Sequence, residues 1–146
     1  MGSVTTDPVD AAALERALVR IGDRWSLLVV EALLAGPRRF GELSDALAGI
    51  APNILTARLR QLEQDGLVVA RPYSERPVRH EYSLTGAGRE LADAIALLAD
   101  WGARRRGSAG DAPFHAACGT RLEVRPWCPT CDRVVDPDEP TTAHEL

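Results

Sequence analysis

The sequence predicts a mainly α fold that carries one small β-hairpin, and three observations predict it. Residues 40–66 read as a helix, a tight turn and a second helix whose buried side recurs at Leu55, Leu59 and Leu62. Residues 67–84 then change from helical to alternating periodicity around a basic, proline-containing tip. Amphipathic segments over 11–34 and 86–106 flank that unit with further helices. A helical pair followed by a basic hairpin is the layout of a winged helix-turn-helix, which sets the start of its second helix into the DNA major groove. Residues 40–66 taken alone also fit a helical pair that only packs.

Taken in order, residues 1–10 are polar, contain Pro8 and are expected to form a disordered lead-in. Leu14, Leu18 and Ile21 then recur at helical spacing and predict a helix over 11–21, which Gly22 and Asp23 interrupt. A second helix over 24–34 carries Trp25, Leu27, Leu28, Val30, Leu33 and Leu34 on more than one face, which suggests a central position. Gly36-Pro37 ends it, and Arg38 and Arg39 follow at a turn, either to clamp a DNA phosphate or to lie in solvent. The third helix, 40–47, buries Phe40, Leu43 and Leu47. Pro52 opens the fourth, where its missing N–H costs nothing, and Gly66 closes it as a left-handed cap.

In the hairpin, the tip spans 71–77, and the return strand 78–84 sets Val78, His80, Tyr82 and Leu84 on one side. Arg71, Arg76 and Arg79 would make it a wing that reaches a neighbouring backbone or minor groove. Thr85 is an N-cap candidate for a single helix over 86–106. Its apolar band includes Leu91, Ile95, Leu98 and Trp101. Such a band needs cover, which dimerisation through Leu14, Leu18, Ile95, Leu98 and Trp101 would supply; packing on its own domain is the alternative. Arg104, Arg105 and Arg106 suit the helix's C-terminal dipole.

With 146 residues and 45% hydrophobic content, the chain can bury one main core. The expected divisions are a lead-in 1–10, a winged-helix and dimerisation domain 11–106, a linker 107–113, a cysteine/histidine module 114–135 and an acidic tail 136–146. The longest apolar run, residues 27–30, falls far below the roughly 20 residues of a membrane span, so a cytoplasmic protein with no membrane partner is expected. The net charge of −4 is unevenly spread: residues 1–106 hold 14 Arg and 14 acidic residues, and residues 107–146 hold 3 Arg and 7 acidic residues. Residues 36–79 hold 7 Arg against 5 acidic side chains, a mild positive excess where DNA would lie. Lysine is absent, a bias better ascribed to genome composition than to selection for binding.

Four motifs in order, Ile21-Gly22-Asp23-Arg24-Trp25-Ser26-Leu27-Leu28, Gly36-Pro37-Arg38-Arg39-Phe40-Gly41-Glu42-Leu43, residues 55–66, and His80-Glu81-Tyr82-Ser83-Leu84-Thr85 with Gly88, resemble the HxlR-type winged-helix regulators, which are related in fold to the MarR type. The resemblance covers roughly residues 11–102. It implies a homodimeric DNA-binding repressor or activator without enzymatic activity, joined through its first and last helices. Members of that family often carry a modifiable cysteine at the start of the first helix. The corresponding position here is Ala12, so sensing through that residue is excluded and any small-molecule effector is left open.

All three cysteines lie in the tail, where His115, Cys118, Cys128 and Cys131 form H-x2-C, nine intervening residues, then C-x2-C. Two close pairs of nitrogen and sulfur donors are how short knuckles present a tetrahedral site, so a structural zinc in a zinc-ribbon-like tail is expected, with Leu122, Val124 and Trp127 covering it. A Cys128/Cys131 redox pair and unliganded thiols are the competing readings. A closed four-ligand site has no vacant position, and neither His80 nor His144 has a convincing nucleophile or metal partner, so no enzyme is expected.

The expected function is homodimeric, sequence-specific binding to a double-stranded DNA operator. Pro52, Asn53 and Thr56 lie where base edges are reachable, Arg58, Arg60 and Gln61 would read bases or hold phosphates, and Arg38, Arg39, Arg71, Arg76 and Arg79 suit the backbone. Some of these arginines must instead pair inward with Glu42, Glu63 or Asp65. A regulator controlled by metal or redox state through its tail, and a winged-helix protein-interaction module without DNA binding, are the alternatives.

Overall fold

The computed structural model describes residues 11–106, 114–123, 125–136 and 138–139. The lead-in, the linker, Val124 and most of the acidic tail, including His144, lie outside the described residues. The chain divides into two compact units, residues 16–98 and the segments on either side of them.

The larger unit is built around α2 (Arg24–Leu34), whose Val29, Val30, Ala32 and Leu33 are buried. Asp23 starts this helix by accepting the backbone N–H groups of Trp25 and Ser26, two of the donors a helix N-terminus leaves unpaired. Around α2 pack Leu43 from α3 (Phe40–Ala46), Leu47, Ile50, and Leu55, Leu59 and Leu62 from α4 (Pro52–Gln64). α4 ends in a Schellman motif: the Leu67 N–H donates to the Leu62 carbonyl at 2.9 Å and the Gly66 N–H to that of Glu63 at 3.0 Å, with Gly66 at φ +70°.

The hairpin consists of β2 (Val68–Glu75) and β3 (Val78–Leu84), with Val68 and Leu84 closing the core at its base. A register shift between Pro72 and Ser74 bends it, and only Arg76 and Pro77 remain as the tip, because pairing reaches Glu75 and Val78. Arg38 and Arg39, expected at a turn, form a two-residue strand β1 that pairs with Tyr82 and Glu81, giving the order β1-β3-β2. The return of the chain from α2 along the open edge of β3 satisfies backbone groups that a free turn would leave to water.

The single helix expected over 86–106 is corrected to two, α5 (Gly86–Arg89) and α6 (Ala92–Arg106). Thr85 anchors the first of them to the end of α4. Its N–H donates to the Leu67 carbonyl at 3.0 Å, its hydroxyl donates to the Gly66 carbonyl at 2.6 Å, and the same oxygen accepts the Gly88 N–H at 3.1 Å. Gly88 is pressed so closely onto Leu67 that a Cβ there would lie 2.2 Å from the Leu67 oxygen. The chain then tightens, with the Leu91 N–H reaching back three residues to Gly88, before α6 begins.

In α1 (Ala11–Ile21) none of the residues is buried. Beyond α6 lie the hairpin β4 (Trp127–Cys128) with β5 (Arg133–Val134) and a separate turn over 115–119 bracketed by a bridge between Phe114 and Arg121. Among the described residues from 114 onward none is buried, and Leu122 and Trp127, expected to cover a metal, are 49% and 55% exposed. Among the described residues no helix is long and apolar enough to cross a membrane.

Candidate DNA-binding surface

With Leu55, Leu59 and Leu62 buried, the 100° turn per residue puts Asn53, Ala57, Arg60 and Gln64 on the outer face of α4, and all four are exposed. Ala57 and Gln64 are absent from the residues singled out above, although the period of the three leucines already contains them. Pro52 is exposed at the helix start. Thr56 is half-exposed and spends its hydroxyl on the Pro52 carbonyl at 2.9 Å. The Gln61 amide donates to the Asp65 carboxylate at 3.1 Å.

Arg58 takes another course. Its guanidinium lies 3.3 Å from the Asp23 carboxylate, tying α4 to the cap of α2. The buried Ser26 hydroxyl donates to the same carboxylate oxygen, beside the backbone N–H groups of Trp25 and Ser26 already bound at the other. Partial burial acts to raise the Asp23 pKa, but the hydroxyl and N–H of Ser26, the N–H of Trp25 and the charge of Arg58 outweigh it and hold the carboxyl below its ordinary value. The inward partner of this arginine is therefore Asp23, whereas Glu42 accepts the Arg39 backbone N–H at 2.6 Å as the cap of α3.

Arg71, Arg76 and Arg79 are exposed on the hairpin. Arg38 is half-buried in β1, and the exposed Arg39 stacks its guanidinium on the Tyr73 ring at 4.3 Å. Around that stack is an open cleft of about 390 Å³ lined by residues that include Phe40, Arg79, His80 and Tyr82. Tyr82 also faces α4: burial and the Glu63 carboxylate push its phenol up while Arg60 opposes them. Among the described residues, Arg39, Arg60, Arg71, Arg76 and Arg79 form no ion pair. α4 and the hairpin thus each expose hydrogen-bonding side chains or guanidinium groups that form no ion pair among the described residues, groups suited to a polyanion with readable edges.

The residues expected at a dimer interface divide. Leu18 and Leu98 of the larger unit are 53% and 54% exposed, while Ile95 packs against the core. In the other unit Leu14 and Trp101 are 50% and 55% exposed, with Arg105 over the Trp101 ring. In the tail, the His115 Nδ1 lies 3.2 Å from the Cys118 Sγ, and Cys131 is hydrogen-bonded to Cys128. These are two separate pairs, and among the described residues no three His, Cys, Asp or Glu surround one ion position. Hydrogen bonds lower the Cys118 and Cys128 thiols and raise that of Cys131.

The profile of the HxlR-like helix-turn-helix family matches residues 20–109. The chain belongs to that family. The HTH-type transcriptional regulator Rv3095 of Mycobacterium tuberculosis is 40% identical over 125 residues, covering 84% of this chain and 78% of that protein. Among solved structures, the transcription factor PA1374 of Pseudomonas aeruginosa is 32% identical, with a TM-score of 0.69 over 89% of this chain and 90% of its own. The transcriptional regulator YodB of B. subtilis, in its reduced form, is 30% identical, with a TM-score of 0.57 over 66% of this chain and 94% of its own. As an HxlR-like protein the chain is a sequence-specific DNA-binding transcriptional regulator, in a family of regulators rather than enzymes.

Proposed function

We propose that two copies of this HxlR-like chain bind an approximately palindromic operator, with their α4 helices in successive major grooves roughly 34 Å apart. The observation that carries the reading is the outer face of α4, where Asn53, Ala57, Arg60 and Gln64 stand exposed beside a hairpin whose arginines form no ion pair among the described residues. Asn53 and Gln64 offer amides to adenine edges, Ala57 a methyl to thymine, and Arg60 a guanidinium to guanine or phosphate. Arg39, Arg71, Arg76 and Arg79 hold the backbone. Arg58 serves by fixing α4 against α2 through Asp23. Pairing of the chain with itself is supported by α1, which buries none of its residues, and by the exposed Leu98 and Trp101 of α6.

The test is fluorescence anisotropy with the DNA upstream of the protein's own gene over a range of salt, together with sedimentation of the free and bound protein. A dimer-to-operator complex whose affinity falls steeply with salt is expected. A monomeric protein, or binding indifferent to both salt and sequence, would leave the protein-interaction reading in its place.

A further inference from the structure

Beyond the DNA-binding reading, and independent of it, the tail carries a feature of its own. The turns at His115-Ala116-Ala117-Cys118-Gly119 and Cys128-Pro129-Thr130-Cys131-Asp132 are built alike. In each, the residue after the second donor gives its N–H to the carbonyl of the first, from Gly119 to His115 at 2.8 Å and from Asp132 to Cys128 at 2.9 Å. That residue has positive φ both times, +68° at Gly119 and +54° at Asp132, the latter the one non-glycine with positive φ among the described residues. Glycine adopts this conformation freely, whereas aspartate does so uncommonly.

The 3.2 Å between the His115 Nδ1 and Cys118 Sγ is close to the edge of about 3.5 Å that a nitrogen and a sulfur would share around a tetrahedral zinc. The cysteines form no disulfide, and the ordered turns rest on no buried residue among those described. A segment of this size without a core ordinarily depends on a cross-link or a metal.

We propose that the two turns are half-sites for a single Zn²⁺ ion, held by the His115 Nδ1 and the sulfurs of Cys118, Cys128 and Cys131 of one chain. Binding forms one Zn–N and three Zn–S bonds, and the three thiols release their protons to solvent. The structure shows the half-sites as two separate pairs, which the ion would draw together. Closure brings Leu122 and Trp127 together over the metal and gives the tail its missing interior. Four protein donors leave no open position, so the ion is structural.

The experiment is metal analysis of the full-length protein purified without chelator, followed by replacement of zinc with Co²⁺ and optical spectroscopy. One zinc per chain is expected, with intense ligand-field bands of a tetrahedral thiolate-rich cobalt site. Cys128→Ser with Cys131→Ser should lose the metal, whereas His115→Cys should retain one ion per chain and shift the cobalt bands. Circular dichroism and operator binding of the same variants report separately on the winged helix. Absence of stoichiometric zinc, zinc retained by the double variant, a Cys128–Cys131 disulfide in the freshly isolated protein, or one ion shared between two chains would each overturn the proposal, and none of them would touch the DNA-binding reading.

Discussion

The Arg39 guanidinium stacks on the Tyr73 ring, joining the residue before α3 to the bend of the hairpin. A long flexible side chain is thereby held at the wing rather than left to sample solvent, at a gain of about 0.5–1 kcal/mol for an exposed cation–π contact. Arg39→Ala is expected to weaken binding to all DNA sequences similarly and to reduce the slope of log affinity against log salt by about 0.9. Tyr73→Ala should give a smaller loss that vanishes in the Arg39→Ala background, and Tyr73→Phe should bind normally. Titrations of the four proteins over a salt series check this.

The outer face of α4 should behave differently. Asn53→Ala or Gln64→Ala is expected to cost about 1–3 kcal/mol on the preferred operator and to relax preference at one base pair, with the salt slope unchanged. Selection from a randomised operator library would reveal the relaxed position. A uniform loss across sequences would move these residues to the backbone.

Asp23 caps α2 and pairs with Arg58, so Asp23→Ala should lower folding stability by about 1–2 kcal/mol in a urea titration. Its carboxyl is held below the ordinary value in the folded chain, so its contribution is complete above the unfolded pKa of about 3.9 and is lost as pH falls through the lower folded value. Asp23→Asn should therefore flatten the acid limb of the stability profile below about pH 4.

Gly88→Ala places a methyl group against the Leu67 carbonyl, whereas a methyl at Gly86 meets nothing within 4 Å. The first substitution should cost about 1–3 kcal/mol by overpacking, read as a lower urea midpoint with unchanged slope. Gly86→Ala should leave the midpoint in place or raise it slightly.

If α1 and α6 carry the dimer, Leu98→Asp should shift the protein to monomer in sedimentation. It should also weaken operator binding more than binding to a single half-site, because only the full operator engages two linked reading heads.

Local periodicity was enough to read most of this fold from the sequence. The three leucines of α4, the stop at Gly66 and the change of period from residue 67 are short-range signals, and they survive into the structure with bounds nearly unchanged, β2 starting at Val68. The features that escaped depend on distant partners. β1 is two residues long and exists because β3 lies beside it, so it leaves no pattern of its own. The helix expected over 86–106 divides because Gly88 must dock on Leu67, a contact across the hairpin. Arg58 reads as a surface arginine until Asp23, 35 positions earlier, is seen to hold it. The two tail turns were legible as pairs of donors from spacing alone, but their common backbone construction was not, since it resides in φ angles and carbonyl partners.

Thr85 and Gly88 are pinned to the two residues that terminate α4. The start of the segment that leads into α6 and the C-terminal end of α4 are consequently tied as one strut. In the proposed complex, a tilt imposed on α5 would reach α4 as a change in how that helix lies in the groove.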